Sequence, residues 1–274
     1  MIIDTHSHLQ FAAFANDYKE VIERTLKEDI WMINVGTKYE TSKNGVDLAE
    51  QYDNGVYAAI GLHPIYAAAE FVKTRTDPDE GDFLIKEQEF DAEKYRELAQ
   101  SKKVVAIGEI GLDYYYKPKT TAKLHDFKEK QKKIFLQQLE LAHELNLPVI
   151  LHCRMAHDDV IEILKSRGEN RGVIHCFTGT LEQAQKYMAM GFYLGINGII
   201  FKFNIDDVIK HAPLEKILLE TDCPYLTPGP EGKKRNEPLF IKHTVQKIAE
   251  LKGGDVDQVY QTTTENAQRL FRLQ

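Results

Sequence analysis

The chain begins MIIDTHSHLQF, in which a short apolar segment leads directly into Asp4, His6 and His8. Side chains two residues apart on a β-strand point to the same face, so His6 and His8 can bind one metal ion. Asp4 points to the same face of the strand as His6 and His8, but it lies further from the carboxyl end of that strand. We interpret Asp4 as a carboxylate that orients an imidazole, with direct metal binding as the alternative.

Polar residues of the metal-binding type also follow later apolar runs of the sequence. They are His63 in GLHP, Glu109 in GEIGLD, His152 in HCR, His175 in HCFTG and Asp222 in ETDCP. Gathering this many imidazoles and carboxylates is costly unless a cation compensates them. Nitrogen and oxygen ligands without thiolate suit Zn²⁺, Mn²⁺, Ni²⁺, Fe²⁺ or Mg²⁺.

Six of these side chains form the candidate ligand set: His6, His8, Glu109, His152, His175 and Asp222. One ion takes about four protein ligands. The set therefore predicts two divalent ions that share a carboxylate. Glu109 is expected to be the bridge, because its strand lies between the first and fifth strands in chain order.

The apolar runs themselves are short, continuous and rich in Val and Ile, which is typical of strands buried on both faces. They cover residues 1–4, 30–36, 56–61, 104–109, 148–153, 172–177, 191–196 and 216–221. Helical periodicity occupies intervening and later segments. These are residues 16–29, 126–146, 181–191, 238–251 and 255–273.

Eight strands alternating with helices predict a single-domain (β/α)8 TIM barrel over residues 1–274, with an open doubly wound sheet as the alternative. In a barrel the carboxyl ends of all strands meet on one face, where the polar residues above would converge. The acidic segment 74–90 is expected to be an insertion between the third and fourth strands, near that face.

Composition narrows the class of protein further. The 274 residues are 43% hydrophobic and 28% charged, as in a globular protein. No run approaches the ~20 apolar residues of a membrane span, and no signal peptide is visible, so we expect no membrane partner and a cytoplasmic monomer. The net charge of −7 disfavours non-specific binding to nucleic acid, although a bound metal would supply positive charge locally.

The three cysteines each follow a candidate ligand: Cys153 after His152, Cys176 after His175 and Cys223 after Asp222. Neighbouring residues on a strand point to opposite faces. We therefore expect the three thiols to face the helices and to have structural roles.

The motifs resemble those of the TatD family of metal-dependent deoxyribonucleases, a branch of the amidohydrolase-like barrel hydrolases. The matching stretches cover the chain in order: IDTHSHL, AAIGLHP, VAIGEIGLDYY, LPVILHCR, IHCFTG, GFYLGING, ILLETDCPYL and RNEP. The resemblance implies the same six ligands, with Glu109 bridging. It also implies hydrolysis of phosphodiester bonds in DNA, expected to be exonucleolytic on single strands or ends. The long 74–90 segment departs from the family pattern.

Two metal ions in such a site lower the pKa of a water molecule and clamp the scissile phosphate. Glu109 and Asp222 are the candidate catalytic residues. Asp222 is interpreted either as a ligand that also accepts the proton of the water or as a ligand alone. His63 is expected to contact the substrate phosphate or to support a ligand, with a structural role in the GLHP turn as the alternative.

Candidate substrate contacts surround the same face. Arg154 is a candidate contact for the substrate phosphate. Tyr114, with Tyr115 and Tyr116, is a candidate for stacking on a base, although at least one of these tyrosines is expected to pack inward. Arg235, with Lys233 and Lys234, is expected to steer phosphate or to lie in a solvated loop.

Two other functions fit the residues less well. One is a metal-dependent esterase or amidohydrolase, such as an aminoacyl-tRNA deacylase, but many such barrels carry a modified lysine where this chain has Glu109. The other is a non-catalytic module that binds nucleic acid, against which the complete ligand set argues.

Overall fold

The computed structural model describes residues 1–71, 87–168 and 171–273, and its centre is one eight-stranded sheet. The strands pair in parallel, in the order β1 to β8. Their bounds are β1 Ile2–Ser7, β2 Ile30–Val35, β3 Val56–Ile60, β4 Val104–Asp113, β5 Val149–Arg154, β6 Gly172–Ile174, β7 Tyr193–Ile196 and β8 Ile217–Leu219.

Helices follow the strands and pack around the sheet. They are α1 Tyr18–Lys27, α2 Tyr39–Ala49, α3 Pro64–Ala67, α4 Ala92–Leu98, α5 Thr121–Glu144, α6 His157–Arg167, α7 Leu181–Ala189, α8 Asp206–His211, α9 Ile241–Lys252 and α10 Val256–Phe271. Within the described ranges, none of these helices is long and apolar enough to cross a bilayer.

The sheet closes where the end of β1 meets the chain after β8. Ser7 forms a parallel bridge with Cys223, and the His8 amide donates to the Cys223 carbonyl at 3.0 Å. The Asp222 amide donates to the His6 carbonyl at 2.8 Å. These bonds complete a (β/α)8 barrel, which confirms the predicted fold class.

Both faces of the strands are buried, as their continuous apolar sequences predict. One cluster takes a residue from every strand, including Ile3, Val105, Ile150 and Leu218, and fills the barrel interior. Residues of alternate parity pack under the helices. Leu270 of α10 joins the interior cluster and helps to close its amino-terminal end.

Several element bounds differ from the sequence prediction. The fourth strand was predicted to end at Glu109, but it continues to Asp113 because Gly111 and Asp113 pair with β5. The sixth strand is shorter than predicted, since the chain turns away after Ile174. Most of the predicted 74–90 insertion, residues 74–86, lies outside the described residues.

Two slips of register turn three of the candidate ligands, His6, His8 and Glu109, toward the barrel interior. Pairing of β1 with β2 shifts between Asp4 and Ser7, so that the even-numbered His6 and His8 follow an interior Ile3. Pairing of β4 with β5 shifts between Ile107 and Ile110, around Glu109. Such bulges re-aim side chains next to active sites.

Asp4 joins the two strands at the closure of the barrel. Its Oδ1 accepts the amides of His6, at 3.2 Å, and Thr221, at 2.9 Å, and its Oδ2 accepts the Thr221 hydroxyl at 2.5 Å. Asp4 therefore positions backbone rather than an imidazole ring, which corrects our interpretation. Burial raises the pKa of Asp4 to about 8, despite the hydrogen bonds from Thr221.

Substitution of Asp4 tests whether its carboxylate holds the backbone segments of His6 and Thr221 together. Asp4→Ala leaves buried donors unpaired and should lower the free energy of unfolding by roughly 3 kcal/mol. Asp4→Asn keeps the acceptor for both amides and should be tolerated. Because the folded pKa lies above the unfolded one, the contribution of Asp4 falls as pH rises toward 8. The stability of Asp4→Asn relative to the parent should therefore rise by about 2.5 kcal/mol between about pH 5.5 and pH 7.5.

Urea denaturation of the parent and both variants at the two pH values measures these differences. Equal destabilisation by Asp4→Asn and Asp4→Ala, without dependence on pH, would contradict the assigned role.

Candidate metal centre

Glu109 lies at the carboxyl-terminal mouth of the barrel, with imidazole rings on both sides of its carboxylate. Its Oε1 lies 2.7 Å from His152 Nδ1, 3.4 Å from His175 Nε2 and 3.6 Å from His63 Nε2. Its Oε2 lies 3.5 Å from His6 Nε2. Burial alone would raise the pKa of Glu109, but the surrounding histidines hold that pKa well below its usual range.

The Oε2 side of Glu109 faces a second carboxylate and the two histidines of β1. Asp222 Oδ1 lies 3.4 Å from His8 Nε2 and 3.7 Å from His6 Nε2. The two Nε2 atoms are 3.1 Å apart. His6, His8 and Asp222 thus present one nitrogen or oxygen each to a common point, although Asp222 is far from the two histidines in the sequence.

Hydrogen bonds behind the rings fix the tautomers of two histidines. His8 Nδ1 lies 2.7 Å from the Val35 carbonyl, which can only accept, so Nδ1 carries the proton. His175 Nδ1 donates to Glu220 at 3.1 Å. The Nε2 atoms of His8 and His175 therefore face the mouth, and metal ligation there requires each of them to be free of a proton.

His152 lies between two carboxylates. Its Nδ1 contacts Glu109, and its Nε2 lies 3.0 Å from Asp113 Oδ2. Burial opposes the charged form of His152, but the bonds to Asp113 and Glu109 raise its pKa to about 9. Asp113 also accepts the Tyr115 amide at 2.8 Å, so one carboxylate connects the ring to the loop after β4.

His63 has the opposite tautomer. Its Nδ1 accepts the Ile65 amide at 3.1 Å, at the beginning of α3, so the ring proton is on Nε2. Burial and neighbouring His152 lower the pKa of His63 to about 3, which keeps the ring neutral. His63 therefore presents an N–H donor toward the Glu109 side of the site.

These donors fit a divalent cation. Within the described residues, four overlapping groups have ligand atoms that lie within 4.8 Å of one another. The groups are His6, His8 and Asp222; His6, His175 and Glu220; His63, Asp113 and His152; and Glu109, His152 and His175. Facing imidazole nitrogens and ionised carboxylates need a cation between them, and the chemistry of the set matches metals that prefer nitrogen and oxygen.

The chain next to Asp222 is held in an uncommon conformation. Asp222, Cys176 and Leu226 have positive φ angles of 58°, 45° and 54°, and all three line one cavity of about 280 Å³ with His152 and His175. Positive φ angles are uncommon for residues other than glycine, and they cluster at active sites.

Asn236 of the RNEP motif helps to hold this conformation. Its buried side-chain amide donates to the Thr221 carbonyl at 2.9 Å and to the Tyr225 carbonyl at 2.5 Å. These two carbonyls flank Asp222 in the chain. Asn236 therefore fixes the segment that carries the Asp222 carboxylate.

The cysteines divide into two kinds. Cys153 is buried against His157 and Tyr187 of the helix layer, and Cys223 belongs to the same outer core, as parity predicts. Cys176 differs, because the chain has left β6: it is not part of the outer core, and its thiol donates to Asn197 Oδ1 at 3.8 Å. The expectation that all three face the helices is therefore wrong for Cys176.

Of the expected substrate contacts, Arg154 lines the mouth cavity. Tyr114 is buried and its hydroxyl donates to Asp159 at 2.8 Å, so its ring is not available for stacking. Arg235 forms a bidentate ion pair with Asp17 and covers Phe14, which ties the loop after β1 to the loop after β8. Arg235 is therefore not free to steer phosphate.

Sequence reasoning missed Asp113 and Glu220, which support the histidines. Asp113 stands in the motif GEIGLD but beyond the predicted end of the strand. Glu220, two residues before Asp222, was assigned only to the apolar run of β8. It is fully buried and accepts bonds from Cys176 N and Asn197 Nδ2, both at 2.8 Å. A carboxylate inside an apolar run was the available signal.

The closed barrel and its cluster of imidazoles and carboxylates at the strand ends define a metal-dependent barrel hydrolase. A family model described as TatD related DNase matches residues 3–272. The chain belongs to this family. The membership confirms the resemblance stated from the motifs and the predicted class, a metal-dependent nuclease.

Individual relatives agree with the family. A Bacillus subtilis protein described as an uncharacterized metal-dependent hydrolase, YabD, is 40% identical over 279 residues, covering 100% of both chains. The 3′-5′ ssDNA/RNA exonuclease TatD of Yersinia pseudotuberculosis is 34% identical, covering 99% of this chain and 100% of the relative. The crystal structure of YJJV, a TatD homologue from Escherichia coli, superposes with a TM-score of 0.82 at 30% identity, covering 100% of this chain and 98% of that one.

The protonation of the histidines predicts proton release on metal binding. Burial opposes the charge of His175, but Glu220 and Glu109 raise its pKa to about 10, and that of His152 is about 9. Both rings are protonated at neutral pH in the metal-free protein, and a cation must displace protons that occupy ligand nitrogens.

Titration calorimetry with Mn²⁺ in two buffers of different ionisation enthalpy measures that release. The apparent enthalpy should differ between the buffers at neutral pH, and the difference should shrink in His175→Asn. An enthalpy independent of the buffer would contradict the assignment.

Proposed function

We propose that the chain is a two-metal exonuclease that hydrolyses phosphodiester bonds of single-stranded DNA from an end. The observation that carries the proposal is the Glu109 carboxylate, whose Oε1 faces His152 and His175 and whose Oε2 faces His6. A shared carboxylate between two ligand groups is the arrangement expected for a pair of ions. The name of the Yersinia relative supports single strands and 3′-5′ polarity.

In this proposal His6, His8 and Asp222 would hold one ion and His152 and His175 the other, and Glu109 would contribute to both. Bound divalent ions neutralise a phosphate and lower the pKa of water. The metal is Zn²⁺, Mg²⁺, Mn²⁺ or Ni²⁺, since the ligand atoms are nitrogen and oxygen.

Asp222 is the proposed proton acceptor for the attacking water. Burial opposes ionisation, but the bond with His8 and the charges of the neighbouring histidines keep the pKa of Asp222 low. Its carboxylate lines the open cavity, whereas Glu109 is buried deeper. Asp222 is therefore the carboxylate that water and substrate reach first.

His63 is the proposed donor to the substrate phosphate. Its Nε2–H points into the site, and an N–H cannot ligate a metal without a change of tautomer. A neutral donor beside a phosphate oxygen stabilises negative charge that develops there.

The esterase alternative is less well supported. The residue on the fourth strand is a carboxylate rather than a lysine, and the family and the Yersinia relative both carry nuclease names.

Removal of either catalytic carboxylate should abolish cleavage. Glu109→Gln and Asp222→Asn keep shape but remove the charge that holds the cations, so the rate on 3′-labelled and 5′-labelled single-stranded DNA with Mg²⁺ or Mn²⁺ should fall at least ~100-fold. The exposed Glu250→Gln on α9 is the matched control and should cleave at the parental rate. Parental activity in either site variant would refute the assignment, and hydrolysis of an aminoacyl ester without DNA cleavage would favour the esterase.

The role of His63 can be separated from metal ligation. His63→Ala should lower kcat/KM by roughly 10- to 100-fold while the metal content per chain, measured by mass spectrometry, stays the same. His63→Gln retains an N–H donor and should recover part of the loss. Loss of one metal equivalent in His63→Ala would instead make His63 a ligand.

A further inference from the structure

Large apolar side chains are exposed mainly on the loops around the metal centre. Six such residues are exposed in the described part of the chain, and four of them follow strands β4, β5 and β7. These four are Tyr115, Tyr116, Met155 and Phe203. Exposed aromatic groups at one face mark a surface that meets a partner.

Tyr115 and Tyr116 form the core of this surface together with Arg154. The Tyr115 side chain is 49% exposed and that of Tyr116 is 43% exposed. Their rings lie 4.8 Å apart, and the Arg154 guanidinium lies 3.6 Å from the centre of the Tyr115 ring. We call these three residues the aromatic platform.

The aromatic platform is continuous with the metal centre. Arg154 lines the same cavity as His152 and Asp222. Asp113 binds the His152 ring with one oxygen and the Tyr115 amide with the other. A molecule whose phosphate lies at the metal centre therefore has the platform beside it.

The aromatic platform includes one cationic side chain, Arg154, and two lysines follow its tyrosines in the sequence. Arg154 has no carboxylate partner among the described residues, and neither Lys117 nor Lys119, just beyond the tyrosines, forms an ion pair there. The chain as a whole is acidic, with a net charge of −7, so unpaired cations beside exposed aromatic rings are a local feature. This combination fits an anionic partner with flat aromatic groups.

We propose that the aromatic platform stacks on an unpaired nucleobase next to the scissile phosphate, while Arg154 contacts the phosphate backbone. The inference rests on the proposed function and deepens it. Every base has a π face, so the platform would hold single strands with little regard to sequence. A paired base is stacked within its duplex and cannot reach the rings, which gives a physical origin for a preference for single strands.

Oligonucleotides with one abasic position test the proposal. In the parent chain, removing the base that lies on the platform should lower kcat/KM about tenfold, and removing distant bases should have little effect. In Tyr115→Ala the dependence of kcat/KM on that base should disappear, because the ring on which the base stacks has been removed. Tyr115→Trp should retain the dependence.

Two further measurements separate this platform from the proposed function. The ratio of the rates on an oligonucleotide and on a base-free phosphodiester, bis-p-nitrophenyl phosphate, should fall about tenfold in Tyr115→Ala and Arg154→Ala. Binding of a fluorescent phosphorothioate oligonucleotide, followed by anisotropy, should weaken similarly. Leu136→Ala and Arg269→Ala remove an exposed apolar group on α5 and an exposed cation on α10, and serve as controls.

The proposal would be overturned if Tyr115→Ala lost the same fraction of its rate on the oligonucleotide and on bis-p-nitrophenyl phosphate, with the effect of the abasic position unchanged. Tyr115 would then have only a structural role. If the parent chain cleaves no DNA, the proposed nuclease function fails. The binding measurement then decides the platform separately, and unchanged affinity in both platform variants would refute it.

Discussion

An ionised carboxylate buried at the mouth of the barrel is the constraint on which the rest of the site depends. Glu109 is 4% exposed, and burial of its charge is tolerated only because imidazoles surround both oxygens. The register slip in β4 turns this side chain inward. Gly108 permits the slip, since a Cβ there would lie 2.6 Å from the Ile150 Cβ.

A layer of buried polar groups behind the ligands converts the barrel into a defined site. Glu220 and Val35 select the tautomers of His175 and His8, and Asn236 fixes the carbonyls on either side of Asp222. Val35 lies on β2 and Glu220 directly after β8, on other strands than the rings they hold, whereas Asn236 lies further along the same loop as Asp222. The geometry of each ligand therefore depends on closure of the barrel, which the hydrogen bonds between the ends of β1 and β8 secure.

The two ends of the barrel have different roles. The amino-terminal end is closed by apolar residues of α10, including Leu270 and Phe271, and contributes to stability. The carboxyl-terminal end concentrates ionisable groups, positive φ angles and exposed aromatic side chains. The proposed hydrolysis beside Glu109 and the proposed stacking on the aromatic platform lie next to each other because the strands bring both sets of residues to one face.

Much of this protein was readable in the sequence. The eight continuous apolar runs predicted the barrel. The six candidate ligands, which stand at the ends of those runs, predicted where the metal-binding groups gather, because parallel strands bring their carboxyl ends together. What the sequence did not decide was the direction of side chains wherever strict alternation fails. The slips beside Asp4 and Glu109, the turn at Cys176, the burial of Tyr114 and the ion pair of Arg235 all depend on contacts with residues distant in the chain. Tertiary structure settled these features, because a bulge, a tautomer or an ion pair is chosen by its partner and not by its sequence neighbours.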